Sequence, residues 1–184
     1  MGLSLLLTLQ RDGMAPVWLV YPFADVLGLL ALCSLRLGIR YFVRRDGRGV
    51  AESLGVVLLG GALLLSQPYG RMPGFHAVVY SLTAAWLLLR ATQDALSHEE
   101  QHFTSGARAL VVSPLAAVGG LFVLRALMVL GGNVATASVS STEPFNVVFL
   151  LVGLVLNLAV NIAMAGVVTM RLVGKLEHLS MTDP

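Results

Sequence analysis

Five apolar stretches occupy most of this 184-residue chain and dominate what it can fold into. They run over residues 15–39, 54–67, 75–89, 109–130 and 145–170. A helix needs roughly 20 apolar residues to cross the hydrocarbon core of a bilayer, where no water can satisfy an exposed backbone. The shorter second and third stretches gain length from their weakly polar flanks. The sequence therefore predicts an all-α integral membrane protein with five transmembrane helices.

The composition excludes several other classes of protein. Hydrophobic residues make up 57% of the chain and charged residues only 12%, and the mean hydropathy is +0.82. Soluble domains carry about 25% charged residues. The single cysteine, Cys33, lies inside an apolar run, which excludes a disulfide framework and a cysteine-based metal site. The net charge of +2 is too small to indicate nucleic acid as a partner.

Basic residues predict the orientation of the five spans, because cytoplasmic loops are enriched in Lys and Arg. With an odd number of spans the two termini lie on opposite sides. Nine of the 12 basic residues then share one side: Arg36, Arg40, Arg44, Arg45, Arg48, Arg90, Arg108, Arg171 and Lys175. Arg11 and Arg71 lie on the other side, and Arg125 falls within the fourth span. The asymmetry predicts an outer N-terminus and a cytoplasmic C-terminus.

The last residues, 171–184, have the sequence RLVGKLEHLSMTDP and follow directly on the fifth span. Leu172, Leu176 and Leu179 recur at spacings of four and three, the interval that lines one face of a helix in a coiled coil. Proline cannot continue a helix and disfavours helix in the residue before it, so Asp183 and Pro184 are typical of a hinge. These features predict that the fifth span continues as a cytoplasmic signalling helix.

Residues 176–184, LEHLSMTDP, resemble the junction found in bacterial GGDEF-domain proteins, the diguanylate cyclases. In that family a helix of the type RL..LE.L...D enters a catalytic domain that opens with DPLTGLxNRR. The resemblance covers about nine positions and includes no catalytic position of the family. It implies a sensor and anchor in the bacterial inner membrane, acting as a homodimer through its last helix. GTP and Mg are implied for the output domain, which would form cyclic di-GMP.

The chain is accordingly divided into three segments. Residues 1–13 are expected to form a short outer interfacial segment, since their apolar run lacks the basic flank and cleavage site of a signal peptide. Residues 14–170 form the five-helix transmembrane sensor bundle. Residues 171–184 form the cytoplasmic linker that leads to an output domain absent from this chain.

Asp25 and Arg125 break the apolar pattern within the spans. Asp25 lies in the first span and Arg125 in the fourth, and the predicted topology places both in the outer half of the bilayer. Charges in this environment cost about 2.5–3.5 kcal/mol and usually find partners. They either pair beside a pocket for a small apolar or lipid-like ligand, or Arg125 reaches the outer headgroups while Asp25 meets a polar neighbour.

Asn157 and Asn161 lie four residues apart in the fifth span, and therefore on one face of its helix. Amides within a bilayer favour hydrogen bonds across helices. Two interpretations remain open: this face sets the register of a dimer or senses a rearrangement of the bundle, or it joins helices within one protomer.

Residues 98–102, HEEQH, match the zinc-protease motif H-E-x-x-H, in which two histidines bind zinc and a glutamate activates water. The predicted topology places His98, Glu99 and His102 in a cytoplasmic loop, where Glu100 and Gln101 favour a solvated turn. Asp94 is one residue that could complete a metal site. A membrane-anchored zinc peptidase is thus the alternative function, and a transporter-like or assembly subunit is a less specific third.

Overall fold

The computed structural model of the protein describes residues 17–42, 48–66, 73–96, 105–132 and 144–181. This part of the chain contains five α-helices and no β-strand. They are α1 (Val17–Phe42), α2 (Arg48–Ser66), α3 (Pro73–Leu96), α4 (Ser105–Leu130) and α5 (Pro144–Met181). The predicted all-α fold is confirmed. Residues 1–13 and the motif at residues 98–102 lie outside the described residues.

Four of the helices contain an apolar stretch long enough to cross a membrane. These stretches are Pro22–Tyr41, Gly49–Ser66, Gly74–Leu96 and Val111–Leu130. The corresponding apolar stretch of α5, Val147–Ala163, is shorter. The protein therefore has four or five helices with the length and composition of membrane spans, in agreement with a multi-pass membrane protein.

The helices extend beyond the predicted spans at positions that carry charge. We expected the second span over 54–67 and the third over 75–89, whereas α2 begins at Arg48 and α3 continues to Leu96. The added turns contain Glu52 in α2 and Asp94 in α3. A charged residue ends an apolar stretch in the sequence, but it does not interrupt the backbone hydrogen bonds of a helix.

Helix ends follow local rules of backbone geometry. Pro73 and Pro144 are the first residues of α3 and α5, a position where proline removes no helical hydrogen bond. At the end of α4, Gly132 has a φ of +85° and its N–H donates to the carbonyl of Val129 over 3.1 Å. This left-handed conformation favours glycine and ends the helix.

Helix α3 lies at the centre of the bundle and packs against α1, α2 and α4, whereas α5 packs on α4. Ala84, Leu87, Leu88 and Ala91 of α3 are all buried in the core. The last contact of the series is aromatic: Phe122 of α4 and Phe149 of α5 meet edge to face with their centroids 5.2 Å apart. Packing contacts therefore connect α1 and α2 to α3, α3 to α4, and α4 to α5.

The outer surface of the bundle is strongly apolar. Leu58, Leu59 and Leu65 on α2 are 64–71% exposed, and the outer face of α5 carries a similar set of large side chains. A soluble monomer rarely exposes such a continuous apolar surface. Contact with lipid explains this surface, since lipid imposes no cost on exposed leucine.

Gly60 allows α2 to approach α3 closely, and its replacement tests this packing. A Cβ at Gly60 would lie 2.8 Å from Oγ1 of Thr83, whereas one at Gly55 of the same helix would meet nothing within 4 Å. We expect Gly60→Leu to lower the free energy of unfolding by about 1–3 kcal/mol through overpacking. Thermal unfolding in detergent measures the loss. Gly55→Leu is the matched control, and equal loss in the two variants would contradict the close approach.

Candidate functional site

A buried arginine joins three helices at one end of the bundle. Arg36 of α1 is only 1% exposed. Its Nε donates to Oδ2 of Asp94 in α3 over 3.2 Å, and its Nη1 donates to Oγ of Ser53 in α2 over 2.9 Å. Its Nη2 donates to Oε2 of Glu52, also in α2, over 3.2 Å. All three nitrogens of the guanidinium therefore have partners on other helices.

Asp94 accepts from a second arginine one turn further along α1. Nη1 of Arg40 donates to Oδ1 of Asp94 over 3.1 Å, so each carboxylate oxygen receives a guanidinium nitrogen. Asp94 is 3% exposed, and the Arg40 side chain is 12% exposed. Charge-assisted hydrogen bonds of this kind are about twice as strong as neutral ones. Two arginines thus neutralise and hold one buried carboxylate.

Gly49 at the start of α2 provides the space for Arg40. A Cβ at this position would overlap the Arg40 guanidinium. The carbonyl of Gly49 also accepts the Ser53 hydroxyl over 2.7 Å, which leaves the oxygen of that hydroxyl directed at Arg36. The first turns of α2 therefore accommodate Arg40 beside Gly49 and direct the hydroxyl oxygen of Ser53 at Arg36.

The network reaches the surface of the bundle through Arg90 of α3. Nη2 of Arg90 lies 3.3 Å from Oε1 of Glu52, and these two side chains are 47% and 40% exposed. Trp86, one turn earlier, lies beneath two guanidinium groups, with Cζ of Arg36 4.9 Å and Cζ of Arg90 5.5 Å from its ring centroid. Cation–π contacts add up to about 2 kcal/mol where the cation is desolvated. We call this set of residues, Arg36, Arg40, Glu52, Ser53, Trp86, Arg90 and Asp94, the arginine network.

The arginine network contains three guanidinium groups and two carboxylates, so it carries one net positive charge. Both carboxylates are engaged by arginine, and among the described residues no three His, Cys, Asp or Glu side chains cluster as metal ligands. Asp94, considered above as a metal ligand, instead pairs with Arg36 and Arg40. The chemistry of this arrangement is electrostatic: it fixes the ends of α1, α2 and α3 to one another.

The opposite end of the bundle contains the polar residues predicted to border a ligand pocket. Arg125 of α4 is half-buried, and its Cζ lies 5.1 Å from the ring centroid of Phe149 in α5. Asp25 is half-buried in α1. His76 of α3 is buried close to the helix start, at this same end. The pairing of Asp25 with Arg125 and their role in ligand binding stay predictions.

The two asparagines of α5 differ in their surroundings. Asn157 is half-buried, whereas Asn161 is exposed. Nδ2 of Asn161 donates to the backbone carbonyl of Asn157 over 2.8 Å and lies 3.3 Å from its Oδ1. The observed bonds of the pair thus run along α5 rather than to a neighbouring helix.

The predicted dimer seam lies on the last part of α5. Leu172 is 57% exposed and Leu176 is 66% exposed. The side chain of Leu179 and the residues His98, Glu99 and His102 lie outside the described residues. A role of these residues in dimerisation or in metal binding remains a prediction.

Sequence reasoning did not find the arginine network. It interpreted Arg36, Arg40 and Arg90 as cations that orient the spans. Two signals were available in the sequence. Arg36 and Arg40 are four residues apart on one helix, and Trp86, Arg90 and Asp94 follow one another at the same spacing on another. This spacing places each set on one helix face. Their mutual contacts depend on how three separate helices pack, and periodicity along one helix does not contain that information.

Comparison with protein-family models, with curated proteins and with solved structures finds no match to this chain.

Removing the charge of Asp94 tests the arginine network. We expect Asp94→Asn to lower the free energy of unfolding by about 3–5 kcal/mol, because Arg36 and Arg40 keep their charge in a buried site. Thermal unfolding in detergent measures the change. Arg90→Gln is the control, with an expected loss of at most about 1 kcal/mol because the Arg90–Glu52 pair is partly solvated. Similar losses in both variants would show that burial does not distinguish the two ion pairs.

Proposed function

We propose that this chain is a membrane sensor and anchor module that relays a signal through α5 to a cytoplasmic GGDEF domain. The observation that carries the proposal is the continuity of α5. This helix runs without a break from Pro144 through the apolar stretch Val147–Ala163 to Met181. Its 38 residues have a length of about 57 Å, roughly twice the hydrocarbon thickness of a bilayer. A rotation or shift of its membrane part is therefore carried directly to its far end.

The packing of the bundle supports a division between a fixed part and a relay part. The arginine network joins α1, α2 and α3. Helix α5 lies at the edge and packs on α4, through contacts that include Phe122 with Phe149. A displacement of α5 requires changes at the α4–α5 interface and leaves the ion pairs of the network in place.

In the proposed orientation the N-terminus lies outside the bacterial inner membrane and the arginine network lies at the cytoplasmic end. The nine-to-two distribution of basic residues supports this orientation. Asp25 and Arg125 then lie at the outer end, where a small apolar or lipid-like ligand would enter. Because Arg125 contacts Phe149 of α5, a ligand beside Arg125 acts directly on the relay helix.

Signalling in this scheme is a shift between two packings of a homodimer. Any ligand must bind one packing more tightly than the other, since a ligand with equal affinity for both shifts nothing. Leu172, Leu176 and Leu179 form the cytoplasmic contact of the dimer. The output domain, as the family resemblance implies, would use GTP and Mg to form cyclic di-GMP when two copies face each other.

Insertions in the signalling helix test the relay. The chain is fused after Pro184 to an active GGDEF domain, and one alanine or a repeat of residues 172–178 is inserted after His178. One residue turns all that follows by about 100°, whereas seven residues restore the phase of the helix. We expect the single alanine to change cyclic di-GMP formation several-fold and the seven-residue repeat to leave it close to that of the parent.

Cyclic di-GMP is measured in cells that lack other diguanylate cyclases, with fusion levels compared by immunoblot. Equal output from the parent and both insertion variants would contradict a relay through the phase of α5.

A further inference from the structure

We propose that an open face of α3 binds an anionic phospholipid, whose phosphate pairs with Arg90 at the edge of the arginine network. This site lies at the opposite end of the bundle from Asp25 and Arg125, so it is separate from the ligand pocket of the proposed function. It also requires no output domain.

One face of α3 is exposed although this helix lies at the centre of the bundle. Leu82 is 49% exposed, Leu89 is 39% exposed, and Gln93 is also exposed. At about 100° per residue, these three positions lie within about 40° of one another around the helix axis. They form one line along α3, which is apolar over most of its length and polar at its end.

Helices α2 and α4 pack on α3 to either side of this line. Gly60 of α2 lies beside Thr83, where an added Cβ would be 2.8 Å from Oγ1. Gly119 of α4 lies beside Leu89, where an added Cβ would be 3.2 Å from Cδ2. The exposed line therefore has a closely packed helix on each side. We call it the α3 face and define it by Leu82, Leu89, Arg90 and Gln93.

A positive charge lies at the polar end of the α3 face. The Arg90 side chain is 47% exposed, its Nη1 donates to Oε1 of Gln93 over 3.2 Å, and its Nη2 lies 3.3 Å from Oε1 of Glu52. A guanidinium has five N–H donors, which is more than these two acceptors take. Its planar fork matches the oxygens of a phosphate. Arg90 can therefore bind a phosphate from the membrane boundary while it stays beside Glu52.

The dimensions of the α3 face fit a phospholipid in one leaflet. At 1.5 Å per residue, Gln93 and Leu82 are separated by about 16 Å along the helix, close to half of the roughly 30 Å hydrocarbon core. The Trp86 ring centroid lies 5.5 Å from Cζ of Arg90, and tryptophan is enriched at the boundary between headgroups and acyl chains. A phosphate at Arg90 thus places an acyl chain along Leu89 and Leu82.

The net charge of the arginine network selects an anionic lipid. The network carries one positive charge in excess of its carboxylates. A headgroup such as phosphatidylglycerol brings one negative charge and neutralises this excess, whereas zwitterionic phosphatidylcholine brings none. Basic sites between transmembrane helices bind anionic headgroups for this reason.

Addition of lipid to the purified chain in detergent tests the site. The additions are dioleoyl phosphatidylglycerol, dioleoyl phosphatidylcholine or inorganic phosphate. The measurements are the melting temperature Tm and the number of lipids retained in native mass spectrometry. A ligand that binds only the folded state raises its Tm. We expect phosphatidylglycerol to raise Tm by several degrees and to be retained, and the other two additions to have a several-fold smaller effect.

Two variants locate the binding on the surface of the protein. Arg90→Gln is expected to remove most of the Tm shift and of the retained phosphatidylglycerol, because the phosphate loses its guanidinium. Its Tm without lipid changes little, since Arg90 is half-exposed. Lys175→Gln is the matched control, because it removes the same charge from α5 and is expected to keep both effects.

Each alternative has its own result. Equal shifts with the two lipids would overturn the selection for an anionic headgroup, and an equal shift with inorganic phosphate would overturn a lipid as the occupant. Equal losses in Arg90→Gln and Lys175→Gln would show attraction by overall charge and overturn the site at Arg90. The absence of any shift or retained lipid would overturn the proposal as a whole. None of these results depends on cyclic di-GMP formation, so the site and the relay can fail independently.

Discussion

The burial of Arg36 is the constraint on which the arrangement of the first three helices depends. A guanidinium that is 1% exposed in an apolar bundle requires compensation for each of its nitrogens, and these partners are Asp94, Ser53 and Glu52. They belong to two other helices, so α1 can satisfy its arginine only in one arrangement with α2 and α3. A buried ion pair adds little net stability compared with apolar packing. We infer that its main effect here is to specify which helices meet and in which register.

Helices α4 and α5 are held by a different kind of contact. Gly119 of α4 lies close to Leu89 of α3, and Tyr80 of α3 meets Phe122 of α4 edge to face. Phe122 and Arg125 of α4 both contact Phe149 of α5. Most of these contacts are apolar, whereas the arginine network depends on ion pairs with fixed partners. The bundle therefore combines three helices joined by ion pairs with a peripheral helix, α5, that packs on α4 and extends over 38 residues.

Hydropathy was sufficient to predict the helical class and the approximate positions of the five helices that the structure describes. Hydropathy was insufficient at the charged ends of α2 and α3, because a hydropathy scale treats Glu52 and Asp94 as solvent-exposed. In the structure, Asp94 is buried between two arginines. Arg36 was interpreted as a topological signal because it follows an apolar run, and a single charge carries no information about its partner. The four-residue spacing of Asn157 and Asn161 places them on one helix face. That Asn157 is half-buried and Asn161 is exposed depends on how α5 packs on α4, which the spacing does not predict.

The separation of Arg36 from Asp94 along the chain also has a consequence for biosynthesis. The two residues are 58 positions apart, so α1 leaves the ribosome well before the carboxylate that neutralises it exists. At about 5–20 residues per second, the interval is roughly 3–12 s. During that time Glu52 and Ser53 of α2 are the partners from the network that already exist, and the Nε of Arg36 requires water or a lipid headgroup. We therefore expect the Arg36 end of α1 to stay near the polar boundary of the membrane until α3 is synthesised, so that the order of synthesis affects how the bundle assembles.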